Sequence, residues 1–291
     1  FIMLNKINYW ISISFFSISI LLALSFTFLN NSYFDYLFLI LVILLMTLGL
    51  SHGSLDNLKG YTILNYYNIK HKSLFYIVYI SMSFFSFLFW NISSQLFVLF
   101  FIVISSFHFG KDDAFLMPLK NNQLTYVFYI LRGLIIIIAP FSINFNNTIE
   151  IIKSLFITKN GFLVNQLVFM DTNRFFLTTL ILCIIISYNQ ICKKIHKILF
   201  MLELFSIILI NIIFTPFIAF SIYFCFLHSL RHYLSLSFDF NIKSLKDSYL
   251  LILKNMIPLT FFALLCVYIF SIKININFLE NNDIVKLSFL S

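Results

Sequence analysis

The chain has 291 residues, 61% of them hydrophobic and 10% charged, with 19 Lys and Arg against 11 Asp and Glu for a net charge of +8. Soluble domains are nearer half apolar and a quarter charged, so this composition excludes an ordinary globular domain and points to an integral membrane protein. It carries no nucleic-acid-binding module, and its apolar segments are continuous runs, not the ~10-residue alternating segments of a membrane β-barrel.

The expected fold class is all-α, a polytopic membrane helix bundle of about eight or nine transmembrane helices at ~20 residues each, forming a single integral membrane domain over 1–291. In chain order, Tyr9–Leu29 is a first span, too long for a signal-peptide core. A second runs from about Phe34 to His52, and a polar segment with Lys59, Lys70, His71 and Lys72 follows. Span three is roughly Ser73–Trp90, span four Leu96–Gly110 and span five Leu124–Ile143, the last holding Arg132, Gly133 and Pro140. The mixed stretch Asn144–Asn173 reads as an interfacial helix or loop. Span six is Arg174–Ile191 and span seven Ile198–Phe214, with Glu203 inside it. Thr215-Pro216 breaks the helix, span eight covers Phe217–Leu234, and span nine Tyr249–Ile272. The sequence opens at Phe1 rather than Met, which leaves the true start open. The 40 Phe residues follow from a genome poor in G and C, so their abundance alone marks no ligand tunnel. Cys183, Cys192, Cys225 and Cys266 form no C-x-x-C pair and read as small core residues.

With nine spans, the N-terminus and the ends of the even-numbered spans share one side. Of the 19 Lys and Arg, only Lys153, Lys159, Arg174, Lys273 and Lys286 fall on the other. The positive-inside rule then places the N-terminus and the even-span ends on the cytoplasmic side of the cell (inner) membrane.

Four histidines fall in that leaflet: His52 ends span two, His108 ends span four, and His228 and His232 end span eight. His228 and His232 are four apart, on one face of a helix. Imidazole suits Zn, Cu, Fe and Ni, and four imidazoles at one depth point to a shared metal site. Ionisable residues inside a membrane segment are expensive and mark function. His71 and His196 lie among lysines and read as solvated. Asp56 follows His52 by four and Asp112 follows His108 by four; these carboxylates, or Glu203, are candidates to accept the second N–H of a ligating imidazole. Asp113 reads as solvating a helix end. Arg231 needs an anionic partner, with Glu203, Asp56 and Asp112 as candidates. Tyr223 lies a turn before His228, lining the site or simply packing.

The segments Gly49-Leu50-Ser51-His52-Gly53-Ser54-Leu55-Asp56, Phe107-His108-Phe109-Gly110, Arg132-Gly133 with Pro140, and Pro216 through His228-Ser229-Leu230-Arg231-His232 together resemble the Brp/Blh family of membrane β-carotene 15,15'-dioxygenases. Ser51 stands where that family usually has Pro. Span one, the stretch 144–173 and the C-terminal tail add nothing to the resemblance. It implies oxidative cleavage of the central double bond of β-carotene by O₂ into two retinals, with Fe(II) held by His52, His108, His228 and His232. It also implies β-carotene drawn from the lipid bilayer, and a retinal-binding rhodopsin as functional partner. A di-iron desaturase needs more histidines in clustered boxes, and an opsin needs a Schiff-base lysine deep in a span, where only Lys254 offers itself. A non-enzymatic carotenoid, retinal or metal-handling membrane protein is the alternative from another class.

Overall fold

The computed structural model describes residues 2–28, 40–49, 53–120, 124–155 and 162–240, with single positions between 253 and 265. His52 and Cys266 lie outside these, as does most of the expected ninth span. The described residues are helical, with no strand beyond an isolated antiparallel bridge between Leu119 and Ile191. The fold is an all-α polytopic helix bundle.

Helix α1 spans Ile2–Phe28, α2 Asp56–Tyr66, α3 Ser73–Ile92, α4 Ser94–Asp113 and α5 Thr125–Ile143. Helix α6 follows at Phe145–Leu155, α7 at Phe162–Thr172, α8 at Phe175–Gln190, α9 at Lys194–Ile213, α10 at Pro216–Tyr223 and α11 at Ser229–Asp239. Among the described residues five helices (within α1, and α3, α4, α5 and α9) are long and apolar enough to cross a membrane, or six if the pair α7–α8, bent by 74°, is one span. The bend falls at Arg174, whose φ of 54° is left-handed and ends the α7 ladder. The eight or nine spans expected exceed this number for two reasons. Spans two and nine run through residues outside those described. Span eight is continuous helix from Pro216 to Asp239, but a π-turn at Phe224–His228 divides it into short pieces. The stretch read as an interfacial helix or loop forms α6 and α7.

Lipid tails are as apolar as the side chains, so close packing, rather than the hydrophobic effect, holds membrane helices together. The tightest approach is α4 against α5. A Cβ built on Gly110 would lie 1.7 Å from the Tyr129 carbonyl oxygen, and one on Gly133 would lie 1.8 Å from that of Ser106. The two backbones touch at these glycines. Helix α1 runs parallel to α9, with Ser12 level with Glu203, Phe16 with Phe205 and Phe26 with Phe214. Phe15, Phe128, Ile135, Phe200, Ile207 and Ile222 form the shared core. Helix α3 buries none of its 20 residues, as suits a helix surrounded by hydrocarbon.

Several contacts place the even-span ends together. Lys120 N–H donates to the Gln190 carbonyl at 3.0 Å, and Cys192 N–H to that of Pro118 at 2.9 Å. Lys59 pairs with Asp239 at 3.4 Å. Cys183 and Cys225 are buried as expected, whereas Cys192 is exposed because it sits in the α8–α9 turn.

The glycine contact gives a direct test. Gly133→Ala forces α4 and α5 apart and costs at least the ~1–3 kcal/mol of an overpacked core. Gly53→Ala, whose Cβ meets its nearest neighbours at 3.5 Å, leaves stability unchanged. Thermal melting of the two purified variants separates them.

Candidate metal centre

Pro216 opens α10 at a position where its missing N–H costs nothing. The helix then loosens into the π-turn Phe224–His228, which inserts one residue into a turn, a feature often found at functional sites. A second π-turn, Leu45–Gly49, packs against the first, and the Tyr233 hydroxyl donates to the Leu48 carbonyl at 3.2 Å. The π-turn in span eight delivers His228 and His232 to one side, with ring centroids 6.5 Å apart. His108 arrives from α4, with its ring centroid 5.3 Å from His228 and 5.8 Å from His232. His228 and His232 are buried, while the His108 side chain is 43% exposed and marks the open side of the cluster.

Two adjacent carboxylates at the end of α4 hold these imidazoles. His232 Nδ1 lies 2.7 Å from Asp112 Oδ2, and His228 Nδ1 lies 3.2 Å from Asp113 Oδ1. Asp113 Oδ2 also accepts the Tyr223 hydroxyl at 2.8 Å. With each carboxylate ionised, Nδ1 is the protonated nitrogen and Nε2 keeps the lone pair, the arrangement of a metal-ligating imidazole. Both Nε2 atoms are buried. Ligand atoms of His108, Asp112 and His232 lie within 4.8 Å of one another. His108 Nδ1 is 3.7 Å from Asp112 Oδ2, beyond hydrogen-bond reach, so Asp112 serves His232. The donor set fits a divalent metal ion.

The structure thus brings together three of the four expected histidines, and the fourth, His52, lies outside the described residues. Asp112, one of the carboxylate candidates, reaches His232. Asp113, read from sequence as solvating a helix end, is fully buried and supports His228 instead. Asp56 opens α2 and accepts the Tyr79 hydroxyl at 3.2 Å, and burial pushes its carboxyl above the usual range. Tyr223 is no mere packing residue, since its hydroxyl orients Asp113.

Glu203 touches none of the described imidazoles. It accepts from Arg132 at 2.6 Å, from Ser12 at 2.8 Å, and from both terminal nitrogens of Arg231. Arg231 finds its anionic partner here, and is further held by Asn8 at 2.9 Å, Ser12 at 2.9 Å and the Asp113 carbonyl at 3.0 Å. Arg132 also approaches Asp113 at 3.7 Å, and its guanidinium lies over the Phe200 ring at 5.1 Å. Two cations and two anions are therefore buried as one neutral group, and Asp113 joins it to His228. Sequence reading missed Arg132, Asn8 and Ser12 as members. Arg132 carries the signal of a charge within an apolar span, and Asn8 and Ser12 share one face of α1 by their spacing of four.

The profile of the β-carotene 15,15'-dioxygenase family matches residues 43–291. The chain belongs to the β-carotene 15,15'-dioxygenase family. A β-carotene 15,15'-dioxygenase from uncultured marine bacterium 66A03 is 28% identical over 191 residues, covering 65% of this chain and 66% of the relative. The match thus spans just under two thirds of that relative's length. No solved structure matches the chain. Within this dioxygenase-family chain, the matched region contains all three clustered histidines and both supporting carboxylates, while Asn8 and Ser12 precede it.

Two outcomes are expected from the carboxylates. Asp113→Asn lowers metal retention by about 10–100-fold, the usual effect of removing a ligand's hydrogen-bond partner, whereas Asp239→Asn in the exposed pair with Lys59 leaves it unchanged; metal analysis after dialysis against a chelator reads both. Glu203→Ala strands two buried guanidinium groups and costs ~3–5 kcal/mol, visible as a loss of folded protein in detergent.

Proposed function

We propose that this chain cleaves the central double bond of β-carotene with O₂ to give two molecules of all-trans-retinal, at a ferrous ion held by His52, His108, His228 and His232. The observation that carries this reading is the convergence of His108, His228 and His232, two of them with Nδ1 held by a carboxylate. Family membership supports the same chemistry. Each half of the substrate takes one oxygen atom of O₂, so one C=C bond is replaced by two C=O bonds. A bound ferrous ion supplies the redox chemistry toward O₂.

The chain's own residues set the conditions. Asp112 and Asp113 keep the protons of His232 and His228 on Nδ1, so that both present a neutral Nε2. Neutral ligands leave the metal's charge uncancelled in a medium of low dielectric, where it acts most strongly on a polarisable partner. Tyr223 and the Arg132–Glu203–Arg231 group fix Asp113. Phe109 stands edge-on to the His228 ring with centroids 4.7 Å apart, and Phe224 lies 5.5 Å from it. These rings exclude water and offer an apolar wall to a polyene. β-Carotene dissolves only in the bilayer, so a site built between membrane helices receives it laterally, on the side where His108 is exposed. The lysine-rich end that carries the site faces the cytoplasm by the positive-inside rule, in the cell (inner) membrane. Retinal released there serves a retinal-binding rhodopsin of the same cell.

Co-expression in cells that accumulate β-carotene tests the reading. Orange colour is lost and retinal appears with the unaltered chain and with His71→Ala. His228→Ala loses both bound iron and retinal formation. Colour that persists in the presence of folded protein and added iron rules the dioxygenase reading out.

A further inference from the structure

Outside the histidine cluster, α1, α8 and α9 enclose a shallow groove of about 470 Å³ on the outer surface of the bundle. Phe16 of α1 lines it with Ile198, Met201 and Phe205 of α9, and Tyr188 of α8 and Lys197 stand at one end. The Lys197 ammonium lies 4.6 Å from the centre of the Tyr188 ring. A lysine held over an aromatic face is a located charge, not a freely moving one. Among the described residues no carboxylate pairs with it. Neither residues 2–28 nor residues 174–202 contain an Asp or Glu.

The level of this end in the membrane follows from the helix register. Ser12 of α1 bonds to Glu203 of α9, the helices are parallel, and Lys6 precedes Ser12 by the same six residues that separate Lys197 from Glu203. Lys6 and Lys197 therefore stand at the same height on their helices. Tyr9 and Trp10, 37% and 54% exposed, lie just beyond Lys6. Exposed Trp and Tyr beside lysines mark a membrane–water interface. Lys193 and Lys194 are exposed in the same turn region. The groove therefore descends from the interface into the hydrocarbon, about 12 Å along α9 between Lys197 and Phe205 at 1.5 Å per residue. That is too short for a docking helix and suited to part of an acyl chain.

We propose that this groove binds an anionic phospholipid, with its acyl chain against Phe16, Met201 and Phe205 and its phosphate at Lys197. Lys6, Lys193 and Lys194, exposed at the same end of α1 and α9, add positive charge on that side of the membrane. A zwitterionic lipid would bring its own cation among four lysines, whereas an anionic headgroup adds none. The site thus selects by net headgroup charge, and it does so on a different face of α9 from Glu203.

The test uses the full chain in phosphatidylcholine nanodiscs with and without phosphatidylglycerol, with native mass spectrometry of the lipids retained. Phosphatidylglycerol is retained in preference to phosphatidylcholine. Lys197→Gln lowers that retention about fivefold, the worth of one lysine near an anionic surface, and leaves phosphatidylcholine and bound metal as in the parent. Phe205→Trp, which fills the groove and leaves every lysine in place, lowers it too, and serves if Lys197→Gln does not fold. Equal retention of the two lipids by the parent overturns the proposal. So does phosphatidylglycerol retention that survives whichever variants fold, or its full displacement by inorganic phosphate alone.

Discussion

An unpaired ion in a membrane interior is far more costly than any single packing contact. Glu203 bears on that constraint more than any other residue. It is fully buried, and it neutralises two equally buried arginines from two other helices, Arg132 of α5 and Arg231 of α11. With Asp113 the charges cancel. The contacts run from Asn8 and Ser12 on α1, through Arg231, Glu203 and Arg132, to Asp113 and finally to the His228 ring. A group that looks structural is thus continuous with the histidine cluster. The orientation of His228 depends on a carboxylate whose own position is fixed by ions on three further helices.

Backbone features set the geometry around that charged group. The glycine contact between α4 and α5 brings the Asp112–Asp113 end of α4 close to Arg132. A side chain at either glycine would hold the helices apart and move Asp113 away from its counter-charge. The π-turn in span eight does the complementary work on the imidazoles. Both devices are backbone geometry, and neither leaves a charged or polar mark in the sequence.

That difference explains what was legible beforehand. Apolar runs between polar breaks located α3, α4, α5, α8 and α9 to within a few residues, because bilayer thickness fixes their length. The common depth of His108, His228 and His232 followed from counting spans, and the structure brings their rings together. Partner choice was not legible. Asp112 and Asp113 are neighbours about 100° apart on a helix, and sequence alone favoured the one four residues from His108. In the structure both point inward, one to each imidazole of the His228–His232 pair. Arg231 with Glu203, and Ser12 with Glu203, join residues far apart in the chain, and no local pattern reports such pairs. Span one added nothing to the resemblance, yet its Asn8 and Ser12 complete the shell of Arg231.

The π-turn at Phe224–His228 also bears on how such a site is inherited. One residue more than an α-turn rotates everything after it by about 100°. In evolutionary terms it is a single-residue insertion retained inside a helix. A descendant that lost one residue within 224–227 would keep every histidine, arginine and carboxylate, and still turn both imidazoles of the pair away from their carboxylates. Helical phase is therefore inherited alongside residue identity, and a chain can carry the full set of motif residues without the site.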